Sequence, residues 1–86
     1  FVEAMVDGAV ALGLSRADAT TLTIQTIVGA AKLLDQSGDT PTTLREKVTS
    51  PNGTTFAALN SFNDSDVSGV VAKAMKAARD RSQELA

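Results

Sequence analysis

A chain of 86 residues is expected to form one small domain, 1–86. Without cysteine or histidine it has no disulfide framework, thiolate nucleophile, His-based triad or His-ligated zinc. Only 3% of it is aromatic and its formal net charge is −2, so it offers neither stacking platforms nor a basic face for nucleic acid. The longest uncharged apolar run, residues 22–31, is too short and too rich in threonine to span a bilayer. Nothing in the chain asks for secretion, so a cytoplasmic protein is expected. The two Asn-x-Ser/Thr triplets, at Asn52 and Asn63, read as chance occurrences.

The chain opens on Phe1 in mid-pattern, as a piece cut from a longer protein would. Phe1, Val2, Met5, Val6, Ala9, Val10 and Leu12 recur at helical spacing, and Gly13 is a natural stop. Glu3 and Asp7 sit one turn apart on another face. With no further ligand nearby they read as a solvated face, not a metal site. Ser15-Arg16-Ala17-Asp18 resembles a capping box, and a helix follows to about Ser37. Its middle, 19–31, carries no charge and is apolar on more than one face, so it must be surrounded. A second copy of the chain is the expected cover, in preference to an ordinary intramolecular core. Gly29-Ala30-Ala31 would let a neighbouring backbone come close.

Gly38 caps that helix, Thr40 opens the next and Pro41 takes its first position. The short helix, 42–48, is expected to turn Leu44 and Val48 inward. After a break at 49–55, residues 56–62 place Phe56, Leu59 and Phe62 on one face. Capping residues at 63–66 precede a last helix, 66–85, striped with Val67, Val70, Val71, Ala74, Met75 and Ala78. Its late cations, Lys73, Lys76, Arg79 and Arg81, suit the negative end of a helix dipole. No strand pattern, internal repeat, Walker A sequence or Gly-x-Gly-x-x-Gly unit occurs, so neither of those routes to a dinucleotide is open.

The break itself, Val48-Thr49-Ser50-Pro51-Asn52-Gly53-Thr54-Thr55, is the chain's best candidate for chemistry. Pro51 stops the preceding helix, Asn52 and Gly53 tolerate positive φ, and Thr54 or Thr55 can cap the helix that follows. Free N–H groups at such an end, with the positive pole of the dipole, favour a carboxylate or phosphate. The hydroxyls of Ser50, Thr54 and Thr55 would surround it. On residues alone, a simple turn with a capped exit is the competing reading.

Taken together, Phe1-Val2-Glu3-Ala4, Asp7-Gly8, Gly13-Leu14-Ser15-Arg16, Gln25-Thr26-Ile27-Val28-Gly29-Ala30-Ala31, Leu44-Arg45-Glu46-Lys47 with the turn 48–55, and Arg81-Ser82-Gln83-Glu84-Leu85 resemble the C-terminal domain of pyrroline-5-carboxylate reductases. The resemblance implies an all-α fold of about five helices, like the C-terminal domain of 6-phosphogluconate dehydrogenase, paired with its twin in an interlocked, domain-swapped dimer. Rings of dimers are common in the family. It also implies reduction of the C=N bond of 1-pyrroline-5-carboxylate to L-proline with NAD(P)H, the cofactor held mainly by an N-terminal Rossmann domain absent here. Carried over residue by residue, the resemblance puts the substrate carboxylate on Ser50 and the N–H groups of Gly53, Thr54 and Thr55. It makes Thr55 the catalytic threonine beside the imine nitrogen. Where the family usually has Gly-Gly after the proline, this chain has Asn52-Gly53. The alternatives are a helical interaction module without substrate and a related imine reductase. The fragment alone is expected to be inactive and to bind no cofactor or metal.

Overall fold

The computed structural model describes residues 1–86 as five helices without a strand: α1 (Val2–Ala11), α2 (Arg16–Ser37), α3 (Pro41–Lys47), α4 (Thr54–Asp64) and α5 (Val67–Leu85). The all-helical class read from the sequence is what the chain adopts. It divides into two compact units, Phe1–Leu44 and Arg45–Ala86.

In the first unit, α1 packs on α2. Gly13, at φ 112, lets the chain leave α1, while its N–H and that of Leu14 satisfy the carbonyls of Val10 and Ala9 at 3.0 and 3.1 Å. Ser15 then caps α2 by accepting the Asp18 N–H at 3.1 Å. An ion pair from Arg16 Nη1 to Asp7 Oδ1, 3.1 Å long, ties the start of α2 to α1. Both side chains are about two-thirds exposed, so the pair orients more than it stabilises.

Only Val6, Ala19 and Thr23 are buried. That is far too little apolar surface to hold 86 residues in order. Beyond Thr23, no residue of α2 is buried: Leu22, Ile24, Ile27, Val28, Leu33 and Leu34 stand between 37% and 53% exposed. Two threonines on this helix add to its apolar character. The hydroxyls of Thr20 and Thr26 bond back to the carbonyls of Arg16 and Leu22, at 2.8 and 2.7 Å, spending their polar groups on their own backbone. A Cβ on Gly29 would meet nothing within 4 Å, so no part of this chain uses the space that glycine leaves.

Gly38, at φ 75, ends α2 as its left-handed C-cap. Thr40 accepts the Thr43 N–H at 3.1 Å and so caps α3, with Pro41 in first place as the sequence predicts. Leu44 is half-buried but Val48 is exposed, against the expectation that both turn inward: α3 ends at Lys47, and Val48 falls past its last turn.

In the second unit, α4 touches α5. Asp66 caps α5 from a left-handed backbone, φ 52, and accepts the Gly69 N–H at 3.3 Å. Late in α5, Asp80 receives Lys76 at 2.8 Å and Arg79 at 2.9 Å, and Arg81 meets Glu84 at 2.9 Å. The hydrogen bonds from Lys76, then Arg79, hold the Asp80 carboxyl below the usual aspartate range. The stripe read from the sequence is present but uncovered, with Val70, Val71 and Met75 all more than half exposed.

Candidate functional site

The stretch between α3 and α4 folds as a tight turn. The Gly53 N–H donates to the Ser50 carbonyl at 3.0 Å, closing Ser50-Pro51-Asn52-Gly53 into a β-turn. Proline fixes a negative φ at the second position and Asn52 has φ 59 at the third, the signs of a type II turn. Asparagine supplies the left-handed residue, which its short polar side chain tolerates better than most.

Gly53 is needed for a different reason. Its φ of −83 is open to any residue, against the expectation of positive φ there. A Cβ at 53 would instead lie 3.2 Å from the Ser50 carbonyl oxygen and 3.4 Å from Ser50 Cβ. The turn is closed tightly enough that a side chain at 53 would push Ser50 back by a few tenths of an ångström. Upstream, the Thr49 hydroxyl bonds the Arg45 carbonyl and its N–H bonds the Glu46 carbonyl at 3.2 Å, fixing the turn to the end of α3.

Downstream, Thr54 and Thr55 are not caps. They are the first two residues of α4, and Gly53 is the N-cap, with no side-chain hydrogen bond closing the end. Here α4 differs from α2, α3 and α5, which begin on Ser15, Thr40 and Asp66. The first intrahelical bond of α4 is Ala57 N–H to the Gly53 carbonyl at 3.1 Å. That leaves the N–H groups of Thr54, Thr55 and Phe56 without an intrahelical acceptor, at the positive end of the dipole. Of the donors named from the resemblance, Gly53 is engaged by Ser50, Thr54 and Thr55 are free to reach an anion, and Phe56 joins them. Sequence reasoning passed over Phe56 because its side chain carries no polar signal; its position, third in an uncapped helix, is what qualifies it. Ser50 and Thr54 are exposed, while Gly53 and Thr55 are half-buried. What this end offers an anion is the N–H groups of Thr54, Thr55 and Phe56.

A helical chain with large uncovered apolar faces and an uncapped helix start behind a tight turn is the class of protein that completes its core against a partner. Residues 1–85 match the family described as pyrroline-5-carboxylate reductase dimerisation, and the chain belongs to that family. It is 48% identical over 85 residues to the pyrroline-5-carboxylate reductase of Pseudomonas aeruginosa, covering 99% of this chain and 31% of that one. Against the reductase of Glycine max it is 40% identical over 84 residues, 98% of this chain and 31% of the relative. The solved structure of Plasmodium falciparum pyrroline carboxylate reductase, which has NADP bound, superposes with a TM-score of 0.87 at 31% identity, over 90% of this chain and 29% of that one. The chain thus spans about a third of the length of the relatives it matches.

Proposed function

We propose that these residues are the dimerisation and substrate-binding domain of an enzyme that reduces 1-pyrroline-5-carboxylate to L-proline. The observation that carries the reading is the uncapped start of α4, closed against Ser50, within a chain of this family. The substrate is a small ring carboxylate, and this is the chain's one helix start built on a proline turn and left without a side-chain cap. The N–H groups of Thr54, Thr55 and Phe56, with the Ser50 hydroxyl, hold the carboxylate. Thr55, the second residue of α4 and half-buried, then stands next to the ring and hydrogen-bonds its nitrogen. A threonine hydroxyl is a poor acid, so its part is positioning, with relay of a proton from water.

Five helices without a strand or Gly-rich strand–helix turn do not fit a dinucleotide. We therefore assign the binding of NAD(P)H to the remainder of the parent protein, and no step to this chain on that account. The fragment by itself is then inactive.

We further propose a homodimer of this chain, able to assemble into larger rings. Leu22, Ile24, Ile27 and Val28 on α2, and the open space at Gly29, support a second copy as their cover. Residues 1–86 act together as one domain in that assembly, in the cytoplasm.

Oxidation of NAD(P)H by the intact parent given 1-pyrroline-5-carboxylate tests the assignment, with this fragment as control. Turnover by the parent alone is expected. A folded parent that leaves this substrate untouched would overturn it.

A further inference from the structure

We propose that Asn52-Gly53 is a self-modification site, where loss of the Asn52 side-chain amide places a carboxylate beside the anion-holding end of α4. The chemistry needs only the chain and water. The Gly53 backbone nitrogen attacks Asn52 Cγ, a Cγ–N bond forms, the Cγ–Nδ2 bond breaks, and the displaced nitrogen leaves as ammonia with the Gly53 amide proton. Water then opens the resulting five-membered imide at either carbonyl, giving aspartate or its isomer linked through the side-chain carboxyl. No electron changes hands.

Three observations single out this residue. Asn52 is exposed and lies outside any helix, between the end of α3 and the start of α4. The residue after it is glycine, the least hindered of nucleophiles, whereas Asn60 and Asn63 lie inside α4 and precede Ser61 and Asp64. A single turn bond, Gly53 N–H to the Ser50 carbonyl at 3.0 Å, holds that nitrogen, and opening it frees the backbone at Asn52 to rotate towards Cγ. Asn60 and Asn63 would have to break into a helical ladder instead.

The product adds one negative charge to a chain whose formal net charge is −2, and adds it two residues before Thr54, where α4 begins without a side-chain cap. An anion there is welcome to the helix, so the modified protein stays folded. It competes with any other carboxylate for the same place. The isomer also lengthens the backbone between Pro51 and Gly53 and shifts Ser50 against α4. This consequence rests on the reading that the turn holds the substrate carboxylate; the modification itself does not.

The test is ageing of the intact parent at mildly alkaline pH, followed by peptide mass analysis and enzymatic methylation of the isomer. A synthetic peptide of residues 48–56 serves as the unfolded reference. The expected result is the mass gain of an amide becoming an acid, confined to the peptide holding Asn52. Asn52→Asp in the parent should raise KM for 1-pyrroline-5-carboxylate roughly tenfold, with kcat little changed. Asn52→Gly should keep its KM through ageing. An Asn52 peptide still unmodified when the reference is fully converted overturns the inference. Mass gain with an unchanged KM in Asn52→Asp instead contradicts the placing of the substrate carboxylate at this turn.

Discussion

The carbonyl of Ser50 accepts the N–H of Gly53 at 3.0 Å, and a Cβ on residue 53 would sit 3.2 Å from that same oxygen. One contact therefore closes the turn and favours glycine, although the backbone at 53 is of a kind any residue adopts. Gly53→Ala should force Ser50 away from the start of α4. We expect a loss of roughly 1 kcal/mol in stability, the crowding outweighing the small gain from a stiffer unfolded chain. KM for the imine substrate should rise while kcat changes less. Urea unfolding and steady-state kinetics of the intact parent check both parts.

The start of α5 makes a second, purely structural case. A Cβ at Gly69 would lie 2.1 Å from Asp66 Oδ2, the carboxylate that caps the helix. Asp66→Ala removes the cap and puts a residue with no polar side chain at φ 52, costing about 1–2 kcal/mol. Gly69→Ala gains about 1 kcal/mol of helix propensity but makes the Asp66 carboxylate swing aside, so part of the gain is offset by a weaker cap. In an Asp66→Gly background the same substitution should stabilise by roughly that full amount. A thermal-unfolding cycle over the four proteins reads the coupling directly.

Asp80 gives the pH dependence. Lys76, then Arg79, hold its carboxyl below the usual aspartate range in the folded chain. A depressed carboxyl contributes stability that is present above the unfolded pKa and is lost as pH falls through the lowered folded value. The side chain is open to solvent, so the contribution is small and salt weakens it. An NMR titration of the side-chain carbon should place Asp80 below the ordinary aspartate value. Lys76→Gln, or high salt, should move it back towards that value.

The proposed assembly rests on α2. Val28 is 53% exposed on a helix with no charge between Ala19 and Ala31. A carboxylate introduced at that place would be left unpaired inside an interface. Val28→Asp should reduce the parent's mass in light scattering towards that of a single chain, while a substitution at the exposed, charged Lys73 should not. A full-size assembly from Val28→Asp would rule out this face as the contact.

Much of this was legible in the residues, and where it was not the reason is physical. The starts of α2, α3 and α5 could be read because Ser15, Thr40 and Asp66 announce themselves by their capping chemistry. The start of α4 was misplaced for the same cause: Thr54 and Thr55 look like caps, but the N-cap is Gly53, which has no side chain to advertise it. The need for glycine at 53 was legible and its reason was not, since positive φ and close approach select the same residue. The left-handed position fell on Asn52, which makes the departure from the family's Gly-Gly compatible with the turn. The cover of α2 depends on atoms outside the chain, so the pattern gave only the demand for it.

The central claim is that Thr55, at the start of an anion-holding helix, positions the imine nitrogen of 1-pyrroline-5-carboxylate. The most direct measurement is the kcat of the intact parent carrying Thr55→Val, which keeps the shape and removes only the hydroxyl. A fall of about tenfold to a hundredfold, with the dimer intact and KM for the substrate changed far less, is the expected result. A kcat equal to that of the unaltered enzyme would contradict the account.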